Sequence, residues 1–193
     1  MNPLGPRQQP GSLAVGLILV ALMAATRFNH FGSPLSLPDA SLAVFFLAGL
    51  YLGRATWFPI FIVEAGLIDW VSIAGGVSDW CVTVAYGFLI PTYAALWFAG
   101  RWYRRHARME LRTLMPLVGA LGLGLVFAFA ISNGSFYLFS DYFAELAWTD
   151  YMRGVIGYFP AYAGYAVMYT MMALGVHAAV LALPERGRRV PGT

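Results

Sequence analysis

Residues 79–112 read DWCVTVAYGFLIPTYAALWFAGRWYRRHARMELR, and this stretch decides the class of fold. The run from Asp79 to Ala99 carries no charge after its first residue, and Arg101, Arg104, Arg105, Arg108 and Arg112 then close it. An apolar helix of roughly 20 residues crosses the hydrocarbon core of a bilayer. Arginines collect where such a helix meets the cytoplasm. The first turn of the same run holds Cys81, the only cysteine in the chain.

Composition extends that reading to the whole protein. Of 193 residues, 60% are hydrophobic and only 11% charged, and the mean hydropathy is +0.67. A soluble domain of this length could not cover so much apolar surface. The pI of about 9.2 reflects arginines placed to orient helices, not a nucleic-acid surface. The expected fold is an all-α integral-membrane bundle forming one transmembrane domain over residues 1–193. Its spans are expected at about 13–28, 40–52, 57–73, 79–99, 113–132 and 154–183. The second span is short and leaves five helices as an alternative. Arginine placement favours six. The chain has no lysine, and all of its 12 basic residues except Arg27 and Arg153 fall on one side of a six-span arrangement. Both termini are then cytoplasmic.

The first span resembles a signal peptide through Met23-Ala24-Ala25, but it lacks a basic start beyond Arg7 and further spans follow, so it is read as retained. The Arg101–Arg112 loop is read as an orienting, lipid-facing cytoplasmic segment. A phosphate-binding loop is absent, so the chain does not itself hydrolyse ATP. Neither a Gly-x-Ser-x-Gly elbow nor a His-Glu-x-x-His helix occurs. His30, His106 and His177 map to an outer loop, an inner loop and an inner helix end, too far apart to join Cys81 in a metal cluster. Glu64 and Asp69 fall in or at the outer end of the third span, where carboxylates are costly and usually functional. With no basic partner evident in a neighbouring span, Asp69 is expected to accept hydrogen bonds from a loop or a ligand.

The outer face is rich in aromatic residues. The segment from Asn133 to Met152 contains Tyr137, Phe139, Tyr142 and Trp148, and the last span follows with Tyr158, Tyr162, Tyr165 and Tyr169 at helical spacing. An interfacial aromatic belt explains some of these. The rest suit the wall or lid of an outward cavity, and Arg153 either pairs with Asp150 or meets a ligand. Cys81 faces the same side. Placed in the first turn of the fourth helix, its thiolate would gain from unpaired N–H groups and the helix dipole, with Asp79 opposing. A lone thiol cannot close an internal disulfide. Three roles remain open: an inert buried residue, a nucleophile, or a soft ligand to a metal that a substrate carries.

On the outer segment Gly76-Val77-Ser78-Asp79-Trp80-Cys81 and the small-residue face Ala14, Ala21 and Ala25 of the first helix, the chain resembles the membrane-embedded substrate-binding subunits (S-components) of energy-coupling-factor vitamin transporters. Within them it is most similar to the solitary cobalamin-transport proteins called BtuM. The resemblance covers nearly the whole chain. It implies binding and uptake of cobalamin at the bacterial inner membrane, with Cys81 as axial ligand to the corrin cobalt and no cofactor of the protein's own. It also implies a separate energy-coupling module that docks on Ala21 and Ala25. Removal of cyanide from cyanocobalamin is an expected secondary activity. The ligand-contacting set is expected to comprise Cys81, His30, Asp69, Trp80, Tyr137, Phe139, Tyr142, Arg153, Tyr158 and Tyr162. The alternatives are an S-component for thiamine, riboflavin or a precursor, which would give the thiol no role, and a membrane thiol enzyme, for which His30 is the reachable base.

Overall fold

The computed structural model describes residues 12–28, 37–106 and 114–182. Among them the chain forms seven α-helices and no strand: α1 (Ser12–Arg27), α2 (Ser41–Tyr51), α3 (Trp57–Ala74), α4 (Leu89–Arg104), α5 (Leu114–Phe139), α6 (Trp148–Ile156) and α7 (Phe159–Ala182). A 3-10 helix, Val84–Phe88, leads directly into α4. Arg7, Arg108, Arg112, Arg186, Arg188 and Arg189, all counted above in the arginine asymmetry, lie outside the described residues.

The shortest of the apolar helices sits at the centre. α2 is apolar around its whole circumference, as a helix enclosed by others must be, and every residue from Ala43 to Leu50 is buried. Two glycines let it lie against α4. A Cβ at Gly49 would collide with the Trp97 carbonyl, and one at Gly100 with the Phe46 carbonyl, so the two backbones touch. Close approach through small residues is a common way for helices to associate in lipid, where apolar burial between helices drives little. Phe45 extends the contact, stacking on Tyr93 of α4 at 4.2 Å and meeting Phe61 of α3 edge-on at 6.0 Å.

Side-chain contacts give the helix directions. Arg27 at the end of α1 bonds Ser41 at the start of α2, Asp69 late in α3 and Tyr93 early in α4. Phe88, just before α4, stacks on Phe139 at the end of α5 at 4.9 Å. The Tyr151 hydroxyl of α6 donates to the Asn133 carbonyl at 3.1 Å. At the opposite end, Tyr51 of α2 and His177 of α7 share a hydrogen bond of 3.0 Å. The long helices therefore alternate in direction, and one end of the bundle gathers the end of α3, the start of α4, the end of α5 and all of α6.

Three helices, α3, α5 and α7, are long and apolar enough to cross a membrane. Their outward faces carry exposed apolar side chains such as Leu67, Val118, Phe127 and Val176, a surface suited to lipid. This is a helical membrane protein.

Three expected boundaries are corrected. The fourth span is expected from Asp79, but α4 begins at Leu89. The Thr83 side chain accepts from the Ala85 N–H at 3.2 Å and starts the 3-10 helix instead, while Pro91 fits the first turn of α4, where its missing donor costs nothing. The fifth helix runs to Phe139 rather than stopping near 132, so only residues 140–147 of the expected outer loop are non-helical. The sixth span is broken at Gly157–Tyr158 into α6 and α7, with Pro160 again suiting a first turn. α6 is amphipathic: Tyr151 is buried while Asp150 and Arg153 are exposed.

Candidate functional site

The segment that carries Cys81 leaves α3 through a glycine-dependent cap. The Gly76 N–H bonds the Ile73 carbonyl at 2.9 Å and the Val77 N–H bonds the Ser72 carbonyl at 3.1 Å. This paired closure needs a left-handed residue between helix and exit, and Gly76 supplies it with φ of 99°. Among the described residues the backbone that follows bonds locally: the Trp80 N–H to the Ser78 hydroxyl, the Val82 N–H to the Asp79 carbonyl and the Thr83 N–H to the Cys81 carbonyl. The indole of Trp80 ties this strap to the far side. It stacks on Tyr142 at 5.0 Å and 14° and meets Phe136 edge-on at 5.0 Å.

Beneath the strap is a cavity of about 260 Å³ bounded by Cys81, Trp80, Asp69, Tyr86, Asn133 and Phe136, with Arg27 at its floor. The floor is a charge network. The Arg27 Nε and Nη2 donate to the two Asp69 carboxylate oxygens at 2.7 and 2.6 Å. Its Nη1 donates to the Ser41 hydroxyl at 2.9 Å and the Tyr93 hydroxyl at 2.7 Å, with Asp39 at 3.7 Å. Tyr86 of the 3-10 helix donates to the same Asp69 Oδ2 at 2.6 Å. A buried guanidinium is tolerable only when opposed and fully bonded in this way.

The Cys81 thiol is half-buried, outside any helix. The expected helix-dipole assistance is therefore absent. Burial pushes its pKa up, and the nearby Asp69 carboxylate pushes in the same direction, so the thiol keeps its proton at neutral pH.

Of the expected ligand set, the structure brings Cys81, Asp69 and Trp80 to the cavity. Tyr142 reaches it only through the indole. The others are placed elsewhere. Phe139 stacks on Phe88, and the Tyr137 hydroxyl donates to the Leu146 carbonyl at 2.7 Å. Arg153 pairs with Asp150 at 2.9 Å on an exposed edge of α6. Tyr158 lies exposed in the turn before α7, and Tyr165 is exposed too. Tyr162 turns inward onto Phe129, and Tyr169, on the same inward side, donates to the Pro38 carbonyl at 2.7 Å. The tyrosine row at helical spacing thus divides between interior and surface, because the bundle covers only part of the arc it occupies. His30 lies outside the described residues.

Arg27, Tyr86, Tyr93, Phe136 and Asn133 are not in the expected ligand set. Arg27 had a readable signal: an arginine closing an apolar run on the side where acidic residues collect. The sequence reading counts it only as an exception to the arginine asymmetry, which leaves Asp69 without a partner there. Chemically the cavity offers one soft donor, one ion-paired carboxylate and several neutral hydrogen-bonding groups. Among the described residues no group of three His, Cys, Asp or Glu side chains is placed to hold a metal ion.

No protein-family model matches the chain, and no curated protein matches it by sequence.

Proposed function

We propose that this chain binds cobalamin and carries it across the bacterial inner membrane as an S-component-type subunit. In this reading six spans cross the bilayer: α1, α2 and α4 join the three longest helices, both termini are cytoplasmic and the Cys81 cavity faces outward. The alternating helix directions support it, as do Arg54, Arg101, Arg104 and Arg105 in and beside the turns at the other end. An energy-coupling module is the expected partner, since nothing in the sequence provides for ATP hydrolysis.

The observation that carries the reading is the position of Cys81. The only thiol of the chain lies on the wall of a cavity whose other lining groups include no second soft ligand. A substrate that brings its own metal and most of its own ligands needs one such donor from the protein. Cobalt held in a corrin is that kind of substrate. A corrin exceeds 260 Å³, so the ring sits across the mouth, with the Trp80 strap displaced from Tyr142 and only part of the ligand below it. Where cyanocobalamin is the substrate, a cobalt–sulfur bond replaces the bond from cobalt to the vitamin's own benzimidazole nitrogen on one face, and on the other water replaces cyanide as the cobalt–cyanide bond breaks. The thiol proton leaves with cyanide as hydrogen cyanide, and no electron is transferred.

Purified protein incubated with hydroxocobalamin should retain corrinoid absorption through gel filtration, with a spectrum altered by sulfur ligation. Cys81→Ala should lose the spectral change and most of the affinity. Equal affinity and identical spectra in the two proteins would reject Cys81 as the cobalt ligand.

Cavity size favours a second reading, uptake of a smaller vitamin or precursor. Ligand pockets of about 300–1,000 Å³ hold drug-sized molecules, and about 260 Å³ suits a single substituted heterocycle such as an aminopyrimidine. Thiamine or its pyrimidine precursor would then bind equally to wild type and Cys81→Ala.

A further inference from the structure

The cavity floor is asymmetric in a way that decides what a ligand meets. The Arg27 side chain is 3% exposed and the Asp69 side chain 21% exposed, so the guanidinium lies behind the carboxylate and the cavity sees the acceptor. The donors closest to it are mostly committed. Nε of Arg27 and the Tyr86 hydroxyl are spent on Asp69 itself, Nη1 on Ser41 and Tyr93, and the Ser72 hydroxyl on the Ile68 carbonyl at 2.8 Å. The acceptors are not. A carboxylate has about four lone-pair sites, and among the described residues Asp69 Oδ1 accepts only from Arg27 Nε. Ser72 keeps its oxygen lone pairs. On the facing wall, Asn133 commits one amide hydrogen to the Phe129 carbonyl at 3.0 Å, which leaves its carbonyl oxygen open.

We infer that the floor formed by Asp69, Ser72 and Asn133 is a seat for a neutral N–H₂ donor of the ligand, of the primary carboxamide class, and that it excludes carboxylates. The inference rests on the cobalamin reading above: the corrin rim carries primary carboxamides, and the cavity has room for one such arm while the ring stays at the mouth. Arg27 is here a positioning residue. It orients Asp69, and its guanidinium lies mostly behind that carboxylate. A carboxylate entering the seat would meet Asp69 without a hydrogen to share, and the open acceptors on both walls would stay unpaired.

Corrinoids in which a single side-chain carboxamide has been converted to carboxylate keep the ring, the metal and the shape. Their affinities for the full-length purified protein can be compared with that of hydroxocobalamin by calorimetry. At one position of the rim the acid should bind at least about tenfold more weakly than the parent, with the remaining acids close to it. Asn133→Asp, which adds a carboxylate across the cavity without touching the Arg27 pair, should widen that penalty. Asp69→Asn should narrow it, with a melting curve reporting whether that variant folds; if it does not, Asn133→Asp carries the test. Equal affinity for the parent and every acid, or an unchanged penalty in Asn133→Asp, overturns the seat and leaves the cobalamin reading in place. No binding of hydroxocobalamin overturns both.

Discussion

Arg27, the last residue of α1, holds Asp69 of α3 through two parallel hydrogen bonds of 2.7 and 2.6 Å. The pair joins two helices that run in the same direction, and through Ser41, Tyr93 and Tyr86 it reaches α2, α4 and the 3-10 helix. It closes the inner side of the cavity and ties the site to the bundle.

Arg27→Gln should therefore destabilise the whole fold rather than the site alone. Removing one partner of a buried ion pair leaves an uncompensated charge, at a cost of about 3–5 kcal/mol. Asp150→Asn should cost almost nothing, because its pair with Arg153 is exposed. Thermal unfolding in detergent compares the two. Similar melting temperatures for Arg27→Gln and wild type would show that the network is not structural.

The Cys81 thiol must shed its proton before sulfur bonds cobalt. Since its pKa is raised by burial and by Asp69, the thiol is protonated at neutral pH and metal ligation releases that proton. Affinity for cobinamide should therefore rise with pH, by about tenfold per unit while the thiol remains mostly protonated. Cys81→Ser should show no such slope. A flat profile for wild type across the neutral range would mean that the thiolate does not carry the binding.

Trp80 should control access to Cys81. The strap is held to α5 and the turn beyond it by the stack of Trp80 on Tyr142 and its edge contact with Phe136, and such aromatic pairs contribute about 0.5–1.5 kcal/mol each. Trp80→Ala and Tyr142→Ala should each raise the alkylation rate of Cys81 by about two- to tenfold. The comparison uses rates extrapolated to full thiolate, which removes any change in pKa. Tyr158→Ala, a change at an exposed turn, should leave the rate alone. Identical rates in all four proteins would show that the strap does not gate the cavity.

Ala21 and Ala25 are both exposed on α1, so enlarging them need not crowd the interior. In Ala21→Leu with Ala25→Leu, cobalamin affinity and melting temperature should stay near wild type while uptake in cells is lost, because larger side chains hold a docking helix away. Loss of affinity together with loss of stability would place that face inside the packed bundle instead.

The membrane class was written in local chemistry. Long uncharged runs ended by arginines need no knowledge of neighbours, since the bilayer imposes length and polarity on each helix separately. The lone thiol and its place at the acidic end were legible for the same reason. Boundaries read from hydropathy alone failed where proline and glycine acted: at Pro91, which permits α4 to begin late, and at Gly157, where one apolar stretch becomes α6 and α7. Tertiary structure alone decided that Arg27 faces Asp69 across 42 residues of sequence, that Trp80 rests on Tyr142, and that Arg153 and Tyr158 point away from the cavity. Hydropathy records how each residue prefers to be solvated. Which charge neutralises which, and which ring covers which, depends on the packing of helices distant in sequence, and that packing rests on details as small as the missing side chains of Gly49 and Gly100.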